Sequence, residues 1–290
     1  MTPQGATSVR TIRTADGRTR SYRLFVPSGN LRAAPLVVAL HGGLGSAAQF
    51  AVNSGLDGLA TSNGFIVVYP EGVGRLPDGS GGAQTWNGGN CCGPAVKQGV
   101  DDVAFLRRVV SDVSRDHRID RDRVYAVGHS NGGIMALRLA CEASDVFAAV
   151  GVQSAVLGVE RCSPRRPVSL LQIHGTADTN VPLAGGMGTG LAGVDFDPPR
   201  QASRTLAERD GCRKRPVSRT DAANADLALQ RWTSCRQGSS VAFLTVQSAG
   251  HAWMGHAAAS PYAEQFVGPP YMGLDSTRAL WSFLAAHPRR

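Results

Sequence analysis

The sequence predicts an α/β fold, a mostly parallel sheet with helices on both faces and an antiparallel hairpin at its N-terminal end. Short, unbroken apolar runs stand at 35–40 and 64–70, and further largely apolar segments of strand length recur at 123–127, 147–152, 167–173 and 241–246. A strand that reads as continuously apolar is one buried on both sides, as the strands of a parallel sheet are. Segments of helical spacing separate several of these runs, and that alternation builds a sheet wrapped by helices. Several runs also lead into glycine and histidine, so polar chemistry gathers at the carboxyl ends of the strands.

Residues 8–27 alternate polar and apolar around Ala15-Asp16-Gly17, the pattern of a hairpin, and 1–19 are either a loosely ordered start or the first edge strand. The run at 35–40 ends in His41-Gly42-Gly43. Over 102–116, Val103, Leu106, Val110 and Val113 are spaced as on one helical face, and Asp101 and Asp102 stand at the start, where negative charge suits the helix dipole. The strand at 123–127 runs through Gly128-His129-Ser130-Asn131-Gly132 into a helix over 131–143. A further helix is expected over 200–210 and a closing one over 276–286, carrying Leu280, Trp281 and Phe283. The glycine-rich segments 72–93 and 183–195 read as long loops bordering the site.

At 290 residues, with 42% hydrophobic and 18% charged content, the chain is long enough for a large core. No linker, charge block or repeat divides it, so one domain over 1–290 is expected. Net charge is +8, and Lys97 and Lys214 are the only lysines. The arginines are scattered and not interleaved with aromatics, which argues against nucleic acid as a partner. A mild attraction to acidic polymer or envelope surfaces is compatible with the charge. No apolar run reaches the length of a membrane-spanning helix. Met1 to Arg20 lack the apolar stretch of a signal peptide, so an exported form is expected to be a mature chain or to use another route.

The six cysteines are Cys91, Cys92, Cys141, Cys162, Cys212 and Cys235. No C-x-x-C repeat or Cys/His cluster points to a metal, and an even count favours disulfides and an oxidising compartment. Cys212 and Cys235 flank a polar segment and are placed to close it as a local loop. Cys91 and Cys92 are adjacent, and each is expected to reach Cys141 or Cys162 instead of its neighbour.

The chemistry centres on Val124–Leu137, where an apolar strand, a Gly-His-Ser-Asn-Gly turn and a helical pattern follow in succession. This is the form of a nucleophile elbow, which exposes a serine in a strained turn at the end of a sheet. A serine hydroxyl needs a base to take its proton, and the base needs a carboxylate to orient it. Asp178, just after the strand at 167–173, and His251, just after the strand at 241–246, follow Ser130 in the order Ser, acid, His. His256 is a rival base, Asp195 and Asp197 are rival acids, and His174 reads as a buried support for the acid loop. The oxyanion of a tetrahedral intermediate calls for main-chain N–H donors. Asn131 supplies one, and Gly43 or Leu44 in His41-Gly42-Gly43-Leu44-Gly45 supplies the other. Trp86, Trp253 and His129 are candidates for contact with substrate, the two tryptophans as apolar walls.

With these residues in hand, the chain resembles the polyhydroxybutyrate depolymerase/feruloyl esterase family of secreted α/β-hydrolases. The resemblance runs from about residue 20 to 287 through the His41-Gly42-Gly43 loop, Trp86-Asn87 with Cys91-Cys92-Gly93, and Val100-Asp101-Asp102-Val103-Ala104-Phe105. It continues through Asp120-Arg121-Asp122-Arg123-Val124-Tyr125, Gly128-His129-Ser130-Asn131-Gly132-Gly133, His174-Gly175-Thr176-Ala177-Asp178 and Gly250-His251-Ala252-Trp253. It implies an α/β-hydrolase fold, Ser130, Asp178 and His251 as catalytic triad, export, disulfides, and ester hydrolysis without a cofactor. The chain departs at Met254, where members often carry proline, and shows no appended binding domain. That points away from crystalline polyester and toward oligomers, soluble esters or feruloylated sugars.

The expectation is therefore a secreted or periplasmic serine carboxylesterase acting through an acyl-enzyme on 3-hydroxybutyrate oligomers or short polyesters, as a monomer. A feruloyl or acetylxylan-type esterase and an acyltransferase on the same fold are the alternatives.

Overall fold

A computed structural model of the chain describes residues 3–76, 79–190, 193–258 and 261–290. Strands β1 (Gly5–Arg13) and β2 (Thr19–Pro27) form the N-terminal antiparallel hairpin, with Arg13 opposite Thr19. Buried β3 (Ala34–Leu40) leads to helices α1 (Ala47–Ser54) and α2 (Leu56–Asn63), and then to β4 (Ile66–Pro70). Helices α3 (Gly93–Lys97) and α4 (Asp102–Asp116) precede β5 (Ile119–His129), α5 (Asn131–Glu142), β6 (Ala149–Gln153) and β7 (Ser169–Gly175). The short strands β8 (Gly186–Met187) and β9 (Asp195–Phe196) pair with each other across the glycine-rich segment that the sequence reads as loop. The chain ends with α6 (Arg200–Arg209), β10 (Val217–Thr220), β11 (Leu227–Trp232), β12 (Val241–Val246), α7 (Pro261–Val267) and α8 (Ser276–Ala285).

Among the described residues, ten strands make one sheet in the order β1-β2-β4-β3-β5-β6-β7-β12-β11-β10. The six central strands, β4 to β12 in that order, run parallel, and the outer pairs on both sides are antiparallel. The side-chain alternation of β3 shows why the sequence reads as continuously apolar. Leu36, Val38 and Leu40 join a core with Phe105 and Leu106 of α4, Ile134 and Leu137 of α5, and Leu206 of α6. Val37 and Ala39 point the other way, into a second core with Phe50 of α1, Leu56 of α2 and Leu280 and Leu284 of α8. Both faces of the sheet are thus dry, which is the condition that makes parallel strands uniformly apolar.

Local capping agrees with this frame. Asp101 accepts a hydrogen bond from the Ala104 amide at 2.9 Å and starts α4, while Asp275 does the same for α8 through the Arg278 amide at 2.9 Å. Asp102 does more than favour the helix dipole. It is buried and forms an ion pair with Arg20 of β2 at 2.8 Å, and its other oxygen accepts the Asn87 amide at 2.7 Å. Among the described residues no helix is long and apolar enough to cross a membrane.

Two expectations need correction. Cys91 and Cys92 bond to each other, and Cys141 bonds to Cys162, so neither adjacent cysteine reaches across. The turn explains this: the Gly88 amide donates to the Cys91 carbonyl at 2.8 Å and the Cys92 amide to the Trp86 carbonyl at 3.2 Å, which closes 86–92 on itself. The Cys212–Cys235 bond forms as expected, but the segment it closes contains β10 and β11, not only a loop. Every residue of β10 is exposed, so an edge strand there carries no apolar alternation for the sequence to reveal.

Candidate active site

The end of β5 and the start of α5 hold Ser130 with φ 52° and ψ −124°, a conformation that an L-residue adopts only when its surroundings impose it. Those surroundings are two glycines and a hydrogen bond. A Cβ at Gly128 would overlap the Gly132 carbonyl, and one at Gly132 would overlap the carbonyls of Leu40 and His41. The Ser130 amide donates to the Gln153 carbonyl of β6 at 3.0 Å. The turn that results leaves Ser130 partly exposed at the carboxyl edge of the sheet, with the N-terminus of α5 directly behind it.

Ser130 Oγ lies 2.9 Å from His251 Nε2, and His251 Nδ1 lies 2.9 and 3.0 Å from the two oxygens of Asp178. Both partners follow strands that are neighbours in the sheet, Asp178 after β7 and His251 after β12. Asp178 is buried and also accepts the amides of Asn180 at 3.0 Å and Val181 at 2.9 Å. Burial pushes its carboxyl up, but His251, His174 and the Val181 amide outweigh that and hold it below the usual carboxylate range. His174 donates Nε2–H to the Val181 carbonyl at 2.8 Å and lies 3.6 Å from Asp178, so it braces the acid loop. Burial holds the His174 ring below the ordinary histidine value. The rivals lie elsewhere. His256 pairs with Asp275 at 3.3 Å, Asp195 is an exposed residue of β9, and Asp197 lines a separate cleft beside α6.

The amide of Asn131 opens α5 and so has no acceptor within the helix. Its side chain is locked to Trp86, accepting that residue's N–H at 2.7 Å and donating to its carbonyl at 3.0 Å. Trp86 Nε1 in turn donates to the His41 carbonyl at 2.9 Å. Gly43 sits against Asn131, since an added Cβ there would lie 3.5 Å from the Asn131 Cβ. The Leu44 amide is already engaged, donating to the Gln84 carbonyl at 2.8 Å, whereas the Gly43 amide donates to no acceptor among the described residues. His41 itself is buried, donates Nδ1–H to the Gly42 carbonyl at 2.8 Å and accepts the Gly72 amide on Nε2 at 3.0 Å. Burial lowers its pKa to about 4, which keeps the ring neutral and the loop's hydrogen bonds in place.

Residues 20–184, more than half of the chain and including the elbow and the acid, match the family described as "Esterase PHB depolymerase". The chain belongs to that esterase family. The NocK protein of Nocardia uniformis subsp. tsuyamanensis, itself named as an esterase, is 32% identical over 286 residues, covering 92% of this chain and 80% of its own. Feruloyl esterase B of Piromyces equi is 31% identical over 228 residues, and the match spans 76% of this chain but 40% of the length of that relative. An acetyl xylan esterase from Aspergillus awamori superposes with a TM-score of 0.62 at 16% identity, over 84% of this chain and 94% of its own. At that identity the likeness concerns the fold, which is the α/β-hydrolase fold.

The esterase does not present the expected aromatic walls. Trp86 is fully buried beneath the His41-Gly42-Gly43 turn, and Trp253 is buried with its indole N–H bonded to Thr277 Oγ1 at 3.0 Å. Trp253 also packs edge-on against Phe50 and His129. Both indoles are held by internal partners, so they shape the site from behind. His129 is likewise buried, with Nε2–H donated to the His251 carbonyl at 2.7 Å. Burial is the main cause that holds its pKa down to about 3.

The sequence reasoning missed the supports of the site. Gln153 ends the wholly buried strand β6 and Ser154 follows it, and that polar pair inside the apolar stretch 150–156 was the available signal. Arg20 gave no signal, because its partner Asp102 is distant in the chain.

Proposed function

We propose that this esterase is a secreted serine carboxylesterase that works through an acyl-enzyme on Ser130. The observation that carries the reading is the unbroken hydrogen-bonded line from Ser130 Oγ through the His251 ring to Asp178. In the proposed reaction Ser130 attacks an ester carbonyl while His251 takes the hydroxyl proton at Nε2, and Asp178 keeps Nδ1 protonated and stabilises the imidazolium. The amides of Asn131 and Gly43 receive the oxyanion; Gly43 is preferred to Leu44 because the Leu44 amide is committed to Gln84. His251 then returns the proton to the leaving alcohol, and water releases the acid by the same steps reversed. The three disulfides support work in an oxidising compartment outside the cytoplasm.

For the acyl group we propose a short 3-hydroxyacid oligomer, in keeping with the family description and with Leu44, an exposed aliphatic residue on the oxyanion loop. The burial of Trp86 and Trp253 also favours an aliphatic cleft over an aromatic one. The likeness to the Piromyces feruloyl esterase supports a plant cell-wall ester as the second reading. Initial rates on a soluble 3-hydroxybutyrate oligomer and on methyl ferulate, with Ser130→Ala as blank, decide between them. Oligomer preference with no activity in the variant supports the first; ferulate preference supports the second; activity surviving in Ser130→Ala refutes the mechanism.

A further inference from the structure

Gln153 ends β6 and is completely buried. Its main chain serves the nucleophile: its carbonyl accepts the Ser130 amide at 3.0 Å, and it stands opposite His129 in the β5–β6 register. Its side chain serves the segment that carries the base. Nε2 donates to the Ala252 carbonyl at 2.8 Å, and Oε1 accepts the Met254 amide at 3.1 Å and the Ser276 hydroxyl at 2.7 Å. Those partners fix the orientation of the amide, because a carbonyl can only accept and a main-chain N–H can only donate.

We propose that Gln153 is a positioning residue that sets the separation between Ser130 and His251. The proposal rests on the esterase reading above. The serine and the histidine are 121 residues apart in sequence, yet their reacting atoms stand 2.9 Å apart. One buried residue grips the elbow with its backbone and, with both ends of its amide, the two residues that flank Trp253 just after His251. A buried network of this kind holds a single arrangement only while every member is satisfied. Replacing Gln153 by an apolar side chain leaves the Ala252 carbonyl and the Met254 amide without this partner, and the His251 segment is then held by its remaining bonds, among them those to His129, Asp178 and Thr277. A displacement of about 1 Å in such a constellation costs on the order of 100-fold in rate.

Two variants test it. Gln153→Met keeps the length of the side chain and removes both polar ends. Gln153→Glu keeps the shape, but offers Ala252 a proton only while its carboxyl is protonated, a form that low pH favours and that burial extends to higher pH. The readouts are kcat and KM on a soluble p-nitrophenyl ester, the rate at which a fluorophosphonate labels Ser130, and the melting temperature. The expected result for Gln153→Met is a kcat loss on the order of 100-fold with KM within about threefold, and labelling slowed in parallel. For Gln153→Glu, the ratio of its kcat to that of the wild type is expected to be highest at the acid end and to fall as pH rises. A Gln153→Met enzyme that is less stable but keeps kcat within about twofold overturns the proposal. So does a Gln153→Glu ratio that stays flat up to about pH 10, beyond the raised value of a buried carboxyl, and that ratio decides alone if Gln153→Met does not fold. A wild-type chain whose Ser130 does not react refutes the esterase reading and the proposal with it. A reactive wild type beside a Gln153→Met that reacts equally fast refutes the proposal only.

Discussion

His129 donates its Nε2 proton to the main-chain carbonyl of His251 at 2.7 Å, so the residue before Ser130 holds the backbone of the histidine that faces it. The bond needs a neutral imidazole with its proton on Nε2, and burial supplies the neutral form by holding the His129 pKa down to about 3. His129→Phe keeps the ring packed near Trp253 and removes the donor. We expect kcat to fall about tenfold with little change in KM, the pattern of a group that matters only as the transition state forms. Steady-state kinetics on one soluble ester checks it.

The buried histidines make stability depend on pH in a definite direction. An unfolded histidine takes up its proton near pH 6.5, whereas in the fold His41 waits until about 4 and His129 until about 3. Between those limits the unfolded chain binds more protons, so stability rises with pH. Their contribution is complete above roughly pH 6.5 and is lost as pH falls through about 4 and 3. Asp178, held low, reinforces the loss in stronger acid. Asp210, held up to about 6 by burial, works against it, since its contribution is lost as pH rises. The net expectation is a melting temperature that drops steadily from pH 7 to pH 4, and a shallower drop in His129→Phe. Thermal melts in a pH series measure both.

Gly132→Ala is expected to disrupt the elbow, because its Cβ would overlap the carbonyls of Leu40 and His41. Overpacking of this kind costs about 1–3 kcal/mol or more. Relief requires the backbone at Leu40 and His41 to move away from the elbow, so activity should fall further than stability alone accounts for. Activity measured well below the melting temperature of the variant separates the two effects.

The Cys141–Cys162 and Cys212–Cys235 bonds close segments with sequence separations of 21 and 23 residues. Replacing either pair with serine is expected to cost about 2–4 kcal/mol. Denaturant midpoints of the two double variants, compared with the oxidised wild type, test this.

The sequence carried the fold where strands are buried on both faces, as in 35–40 and 241–246, because each apolar run there has one physical explanation. It also carried the relation of Ser130, Asp178 and His251, since each follows a recognisable strand. It failed where partners are remote or edges are wet. Nothing near Arg20 announces Asp102, and exposed β10 has no alternation to read. Trp86 and Trp253 looked like substrate walls because an indole beside a motif reads the same whether it faces the cleft or the core. Their N–H partners, the His41 carbonyl and Thr277, are apparent only in three dimensions. The adjacent cysteines misled for a related reason: whether they pair depends on the local turn, not on their spacing.

The most direct test of the account is to trap the acyl-enzyme. The enzyme is mixed with excess p-nitrophenyl ester, quenched in acid within the first turnovers, and digested for mass spectrometry. The account expects a burst of p-nitrophenol together with the acyl mass on the peptide that carries Ser130, both absent in Ser130→Ala. Turnover that proceeds undiminished in Ser130→Ala, or an acyl mass found on another residue, would contradict it.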